Sequence, residues 1–174
     1  SNAVAMVFLN TNAAAAGGLV AALIISRLKF GKTDLTMTLN GALAGLVAIT
    51  AEPSTPSALE ATLIGAAGGV IVVFVVPLLD KLKIDDVVGA IPVHLVAGIW
   101  GTIAVAITNT DASLSTQLVG IAIVGAFTFV ISFIVWKIID MIMGIRVSEE
   151  AEIIGLDKSE LGMEAYPEFS RQGS

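Results

Sequence analysis

The sequence predicts an all-α bundle of membrane-crossing helices, and two observations predict it. Of the 174 residues 56% are apolar and 14% charged, with a mean hydropathy of +0.92, against about 45–50% and about 25% in an ordinary soluble domain. The charges are also confined to short intervals. The stretches 1–26, 35–51, 61–79, 87–110 and 112–136 contain no Asp, Glu, Lys or Arg. Crossing the hydrocarbon core takes about 20 residues, within a range of about 17–25. A soluble chain of this length would need polar outer faces on its helices. The composition excludes a disordered chain, a nucleic-acid binder and a secreted disulfide scaffold. With no cysteine, neither a disulfide framework nor thiolate metal ligation is available.

Taken in order, Ser1-Asn2-Ala3 reads as a tag-cleavage remnant and is set aside from the fold. The following residues open inside an apolar run with no initiator Met, which reads as part of a longer membrane protein. The first helix is expected over 4–26, ending at the basic loop of Arg27, Lys29, Gly31 and Lys32. The second is expected over 36–51, closed by Pro53 and Pro56. The third spans 58–79, the fourth 87–107 and the fifth 114–145, long enough to project beyond the bilayer at its inner end. Residues 146–174 form a tail that mixes acids with apolar residues and glycines. Seven of the fifteen acidic residues lie between Glu149 and Glu168, so the net charge of −6 describes the tail. No internal repeat is visible.

The loops sort by charge. Arg27, Lys29, Lys32, Lys81, Lys83 and Arg146 fall on one side, with Lys137 one or two turns inside the last span. The loops 52–60 and 108–115 carry only Glu52, Glu60 and Asp111. The positive-inside rule makes the basic side cytoplasmic, with the tail inside and the start of the chain outside.

Small residues recur four apart at Gly41/Gly45, Gly65/Gly69 and Ala97/Gly101, a spacing that lets backbones approach closely in lipid. His94 is the only histidine and lies in a charge-free run. Eight residues past Asp86, it is expected about 12 Å along a helix at ~1.5 Å per residue, near mid-depth of a core about 30 Å thick. Two readings stand: a group on a transport or proton pathway, or a neutral imidazole tying two helices together. Pro92 beside it either frees a carbonyl near the ring or is a tolerated kink. Asn10, Thr11, Asn12 and Asn40 suit interhelical hydrogen bonds or a pore lining. Asp85 and Asp86 are expected to cap the fourth helix.

The stretches AMVFLNTNAAAAGG, TLNGALAGLVAIT, KIDDVVGAIPVHLVAGIWGT and GIRVSEEAEIIGLDKSELGMEAYPEF together resemble the ammonium transporter family (Amt/Mep/Rh). The resemblance is to the C-terminal half, spans seven to eleven plus the cytoplasmic tail. It implies the second half of an inverted-repeat fold, assembled as a homotrimer in which each protomer holds its own apolar pore. His94 matches the second of two pore histidines. Leu43 matches an apolar pore position, Asn40 a position where some members carry a small hydroxyl residue, and Thr50 a place near the outer mouth. Pro92 and Leu95 stand where the family often has Gly, and Leu161 where it often has His. In the tail, Gly155 and Asp157 belong to the regulatory motif, and Ser159 aligns with a phosphorylated Thr of some plant members. The tail is expected to pack across a neighbouring protomer's inner loops, with Arg27, Lys29, Lys32, Lys81 and Lys83 as charge partners, and to offer a face to a PII-type regulatory protein.

The implied function is conduction of ammonium or ammonia across the cell (inner) membrane by the complete protein, for nitrogen metabolism. The implied partners are the substrate, the lipid bilayer and the N-terminal half of the same protein, with no cofactor, metal or nucleic acid. This portion alone, with one wall of the pore, is expected to be inactive. The competing readings are an ammonium-sensing or regulatory membrane module of the same fold and a purely structural membrane bundle. No nucleophile–base pair, metal cluster or phosphate loop points to an enzyme.

Overall fold

The structure, a computed structural model, describes residues 2–167. Ser1 of the expected tag remnant and residues 168–174 of the expected tail lie outside the described residues. Five long helices come first: α1 (Asn2–Phe30), α2 (Leu35–Ile49), α3 (Ala58–Lys81), α4 (Ile91–Thr108) and α5 (Leu114–Met143). Two short ones follow, α6 (Glu149–Ile154) and α7 (Leu156–Leu161). There is no strand among the described residues. The chain divides into two units, Ser1–Val124 and Gly125–Ser174. α1, α3, α4 and α5 are long and apolar enough to cross a membrane. α2, with 15 residues, spans only about 22 Å at ~1.5 Å per residue.

Each long helix differs from the sequence reading at one boundary or both, by up to four residues. α1 runs on to Phe30 and so takes Lys29 into the helix. α5 stops at Met143, before Gly144 in the left-handed region. The difference that bears on the site is α4, which begins at Ile91 rather than 87. Residues 84–89 are non-helical, Gly89 has φ +79° and Pro92 sits in the first turn, where no helical donor is lost. The count of about 12 Å along a helix from Asp86 therefore does not hold, because residues 87–89 of that interval are loop.

In the first unit α1, α2 and α3 pack against one another, with α4 against α2 and α3. The contact lines are made of glycine. A methyl group on Gly18 would strike the Gly41 carbonyl, on Gly69 the Gly18 carbonyl, and on Gly65 or Gly45 the Ala14 carbonyl. On Gly101 it would strike the carbonyl of Ala48. The core between these backbones is correspondingly small. One cluster joins Ala14, Ala48, Ile49, Ala61, Ile64 and Ala104, and the other Ala44, Val72, Val93 and Ala97. No residue of α5 is buried.

Side-chain hydrogen bonds fasten the two ends. At the end free of basic residues, Asn10 Nδ2 donates to the carbonyls of Pro53 (2.9 Å) and Pro56 (2.7 Å), and Asn109 Nδ2 donates to Glu52 at 3.3 Å. Ser57 and Glu60 form a capping box at the start of α3. At the basic end Asp34 caps α2, accepting from Met37 N at 2.7 Å. Pro77 lies inside α3 and has no N–H to give the carbonyl four residues back, that of Val73. Lys29 Nζ supplies the missing donor at 3.2 Å, 4.1 Å from the centre of the Phe74 ring. Lys29 is thus engaged by α3, which corrects its expected place among loop cations free to meet the tail.

Two expectations follow for the full-length protein. Gly69→Val should lower stability by about 1–3 kcal/mol or more, since a rigid backbone carbonyl opposes the new side chain. Gly98→Ala, whose methyl would lie 3.7 Å from Val47 Cγ1, should be close to neutral in the same thermal unfolding series. Lys29→Met should cost about 1 kcal/mol from the lost hydrogen bond and cation–π contact. In a Pro77→Ala background, where the helix supplies its own donor, that cost should shrink.

Candidate functional site

The expected site residues are distributed over α2, α4 and the tail, and the first two elements share a core. Ala44 of α2 and Val93 of α4 belong to one buried cluster, with Val47 packed against it. The neighbour of each, Leu43 and His94, emerges on the surface. Leu43 is 46% exposed. Leu39, Leu43 and Thr50 are all exposed, and their spacing lines them along one side of α2. Thr50 closes α2 with its hydroxyl on the Val47 carbonyl at 2.7 Å.

His94 lies in a stretch the sequence reading did not foresee. Ile91–Val96 form a π-helical turn, and Ala97 N–H bonds the Pro92 carbonyl five residues back. Such turns inside helices are rare and recur at functional sites. Pro92 and Val93 are buried while His94 and Leu95 are exposed. The imidazole makes no hydrogen bond among the described residues. Among the described residues it does not tie helices to one another.

The start of α4 is held from two sides. The Asp86 carboxylate accepts from Ala90 N–H and Ile91 N–H, both at 2.8 Å. Asn40, buried on α2, donates from Nδ2 to the Val88 carbonyl at 2.8 Å. Asp86 therefore caps α4 as expected, and Asp85, exposed and without a hydrogen bond, does not. The physical reason is the later helix start, which brings only Asp86 within reach of the free N–H groups. Pro92 after Gly89 was the signal that could have moved the boundary. Nothing in the sequence pattern marked the π turn, or the bond from Trp100 Nε1 to the Ile64 carbonyl at 2.9 Å.

The second unit holds the tail residues. Ser148 caps α6 with its hydroxyl on Ala151 N–H, and three glutamates occupy the first turn. Arg146 pairs with Glu152 at 2.7 Å and Lys158 with Glu164 at 2.6 Å. Gly155 joins α6 to α7 at φ +99°, where a Cβ would lie 2.7 Å from Asp157 Oδ1. Asp157 accepts from the N–H groups of Ala165 and Lys158, each at 2.9 Å. These bonds, Ala165 first, hold its carboxyl below the usual range, while Glu164 raises Lys158. Ser159 is exposed, and only its backbone N–H is bonded, to the Gly155 carbonyl.

A profile of the Ammonium Transporter Family matches residues 1–166. The chain belongs to the ammonium transporter family. It is 40% identical over 186 residues to ammonium transporter Amt2 of Archaeoglobus fulgidus, covering 95% of this chain and 40% of that protein. It is 40% identical over 172 residues to ammonium transporter Amt1 of Haloferax mediterranei, covering 96% and 33%. Among solved structures it matches a "Sensor Amt Protein" with a TM-score of 0.84 and 31% identity, over 92% of this chain and 42% of that one. The chain thus spans about two-fifths of the length of the curated relatives it matches. These are named as transporters, not enzymes, and the all-helical apolar architecture is that of a multi-pass membrane protein.

The tail generates a pH prediction. Since folding lowers the Asp157 pKa, its ties stabilise the α7 turn above the ordinary carboxylate value of 3.8 and are lost as pH falls through the lower folded value. Amide-exchange protection at Lys158 and Ala165 in the full-length protein should hold at mildly acidic pH and fall under stronger acid. Asp157→Asn should remove this dependence.

Proposed function

We propose that this chain is the second half of an ammonium transporter protomer and forms one wall of a pore for ammonium or ammonia, with His94 on the conduction path. The observation that carries the reading is His94 itself: the only imidazole of the chain, exposed and without a hydrogen bond on an otherwise apolar helix. Leu43 and Thr50 continue the path along the exposed side of α2, Thr50 toward the outer mouth. Asn40 belongs to the same region, with its amide committed to the Val88 carbonyl.

The chemistry favours neutralising the cargo. Leaving a cation unpaired in hydrocarbon costs tens of kcal/mol by a Born estimate. Neutralising an amine of Lys-like pKa at pH 7 costs about 4–5 kcal/mol. A neutral imidazole accepts and donates hydrogen bonds to ammonia, and a protonated one carries the stripped proton. A single wall encloses no pore, so this half alone does not conduct.

The same reading places the protein in the cell (inner) membrane. The basic ends of α1 and α3 and the tail then face the cytoplasm, by the positive-inside rule. Three such protomers assemble, and the tail, through Gly155, Asp157 and Ser159, regulates the pore and offers a docking face for a PII-type protein. A second reading, an ammonium-sensing module of this fold, draws on the solved neighbour described as a sensor.

In the full-length protein His94→Ala should cut uptake of methylammonium at least tenfold while leaving thermal stability unchanged. Uptake at the wild-type rate in a correctly folded variant would return His94 to a structural part.

A further inference from the structure

The segment leading into the π turn is held by α2. Val88 lies in a loop, so no helical N–H reaches its carbonyl, and Asn40, 48 residues earlier, supplies the donor at 2.8 Å. Gly89 follows with φ +79°, a conformation that favours glycine, and a Cβ there would lie 2.7 Å from Asn40 Nδ2 and so push the amide off the Val88 carbonyl. Asp86 then takes the first N–H groups of the helix at 2.8 Å each, and Gly89 returns a bond through its own carbonyl to Val93 N–H at 3.2 Å. Val93 is 2% exposed and locked in the core beside Ala44. His94 is the next residue, and no bond of its own ring orients it within the chain.

From this arrangement we infer that Asn40 is a positioning residue for His94: it does not handle the cargo but straps the 86–89 segment to α2, fixing the register of the π turn that aims the imidazole. The inference rests on His94 being on the conduction path only for its effect on transport; the strap itself concerns geometry. Asn suits the task because its amide donor reaches across from a helix to a loop carbonyl without bringing charge into an apolar contact. Asp at the same place would set a carboxylate against the Val88 carbonyl.

The test uses the full-length protein with Asn40→Leu, which keeps the branched shape and the number of side-chain heavy atoms and removes the donor. Asn40→Ser, too short to reach Val88, serves as the second variant where Leu does not fold. Gly89→Ala breaks the same contact from the other side. Two readouts are needed: the rate of carbethoxylation of His94 by diethyl pyrocarbonate, followed by mass spectrometry, and the Vmax and KM of methylammonium uptake. Losing one buried hydrogen bond should raise the His94 modification rate about tenfold. Vmax should fall by a similar factor with KM little changed. Combining Asn40→Leu with Gly89→Ala should raise the modification rate by less than the product of the two single effects, because they share one contact while the strain of the positive φ at position 89 acts separately. An unchanged modification rate in folded Asn40→Leu or Asn40→Ser overturns the strap. Wild-type uptake in His94→Ala would instead remove His94 from the path, while the modification rate continues to judge the strap.

Discussion

Everything else in the first unit follows from how closely the backbones of α1, α2 and α3 approach. Lipid tails are as apolar as leucine, so burying large side chains between helices gains little there; dispersion at short range and hydrogen bonds have to hold the bundle. Gly18, Gly41, Gly65 and Gly69 remove the side chains that would keep the helices apart, and each Cα then faces a neighbour's carbonyl or an alanine methyl. Little room is left for bulk inside. The largest fully buried side chains include only Ile49, Val72, Val73 and Val93 among the apolar ones. Phe8, Phe74, Phe127 and Phe133 lie on the exterior, an arrangement water would penalise and lipid accepts.

The same constraint explains where the polar ties sit. A close-packed glycine interface has no volume for amides or ammonium groups, so Asn10, Lys29, Asn40 and Trp100 act on its margins. Three of the four serve carbonyls that no helix ladder supplies: those of Pro53 and Pro56 in a loop, of Val88 in another, and of Val73, left open by Pro77. Asn10 spends both donors this way and leaves its buried Oδ1 without a partner among the described residues. Its two donated hydrogen bonds hold the loop between α2 and α3.

Much of this was legible in the sequence, because charge-free runs and four-residue glycine spacings are long, redundant signals. The five long helices, four of them long and apolar enough to cross a membrane, and the segregation of loops by charge needed no side-chain geometry. What escaped depends on single dihedral choices. The start of α4 moved because Gly89 adopts a left-handed conformation that two aspartates upstream do not advertise. The π turn adds a residue to one helical turn, and Ile-Pro-Val-His-Leu-Val carries no pattern for it. Lys29 looked like a loop cation because nothing in its neighbourhood indicates that Pro77, 48 residues later, opens a carbonyl beside it. The singling out of His94 rested on its being the one histidine, in a charge-free run, and on a depth counted along a helix; the structure leaves the ring exposed and replaces part of that helix by loop.

The two kinds of exposed surface in this chain answer to different physics. No residue of α5 is buried, and its aromatic and aliphatic side chains ask for nothing that hydrocarbon does not give. The side of α2 and α4 that carries Leu43, Thr50 and His94 is exposed too, but an imidazole without a hydrogen bond in lipid would forfeit its solvation, at a cost of several kcal/mol. Such a ring needs a polar partner, water or cargo. Within the chain the strap from Asn40, the Asp86 cap and the buried Val93 fix its backbone while leaving both ring nitrogens unused. A backbone held this firmly beside a ring with no hydrogen bond among the described residues is what the proposed place of His94 on the conduction path asks for.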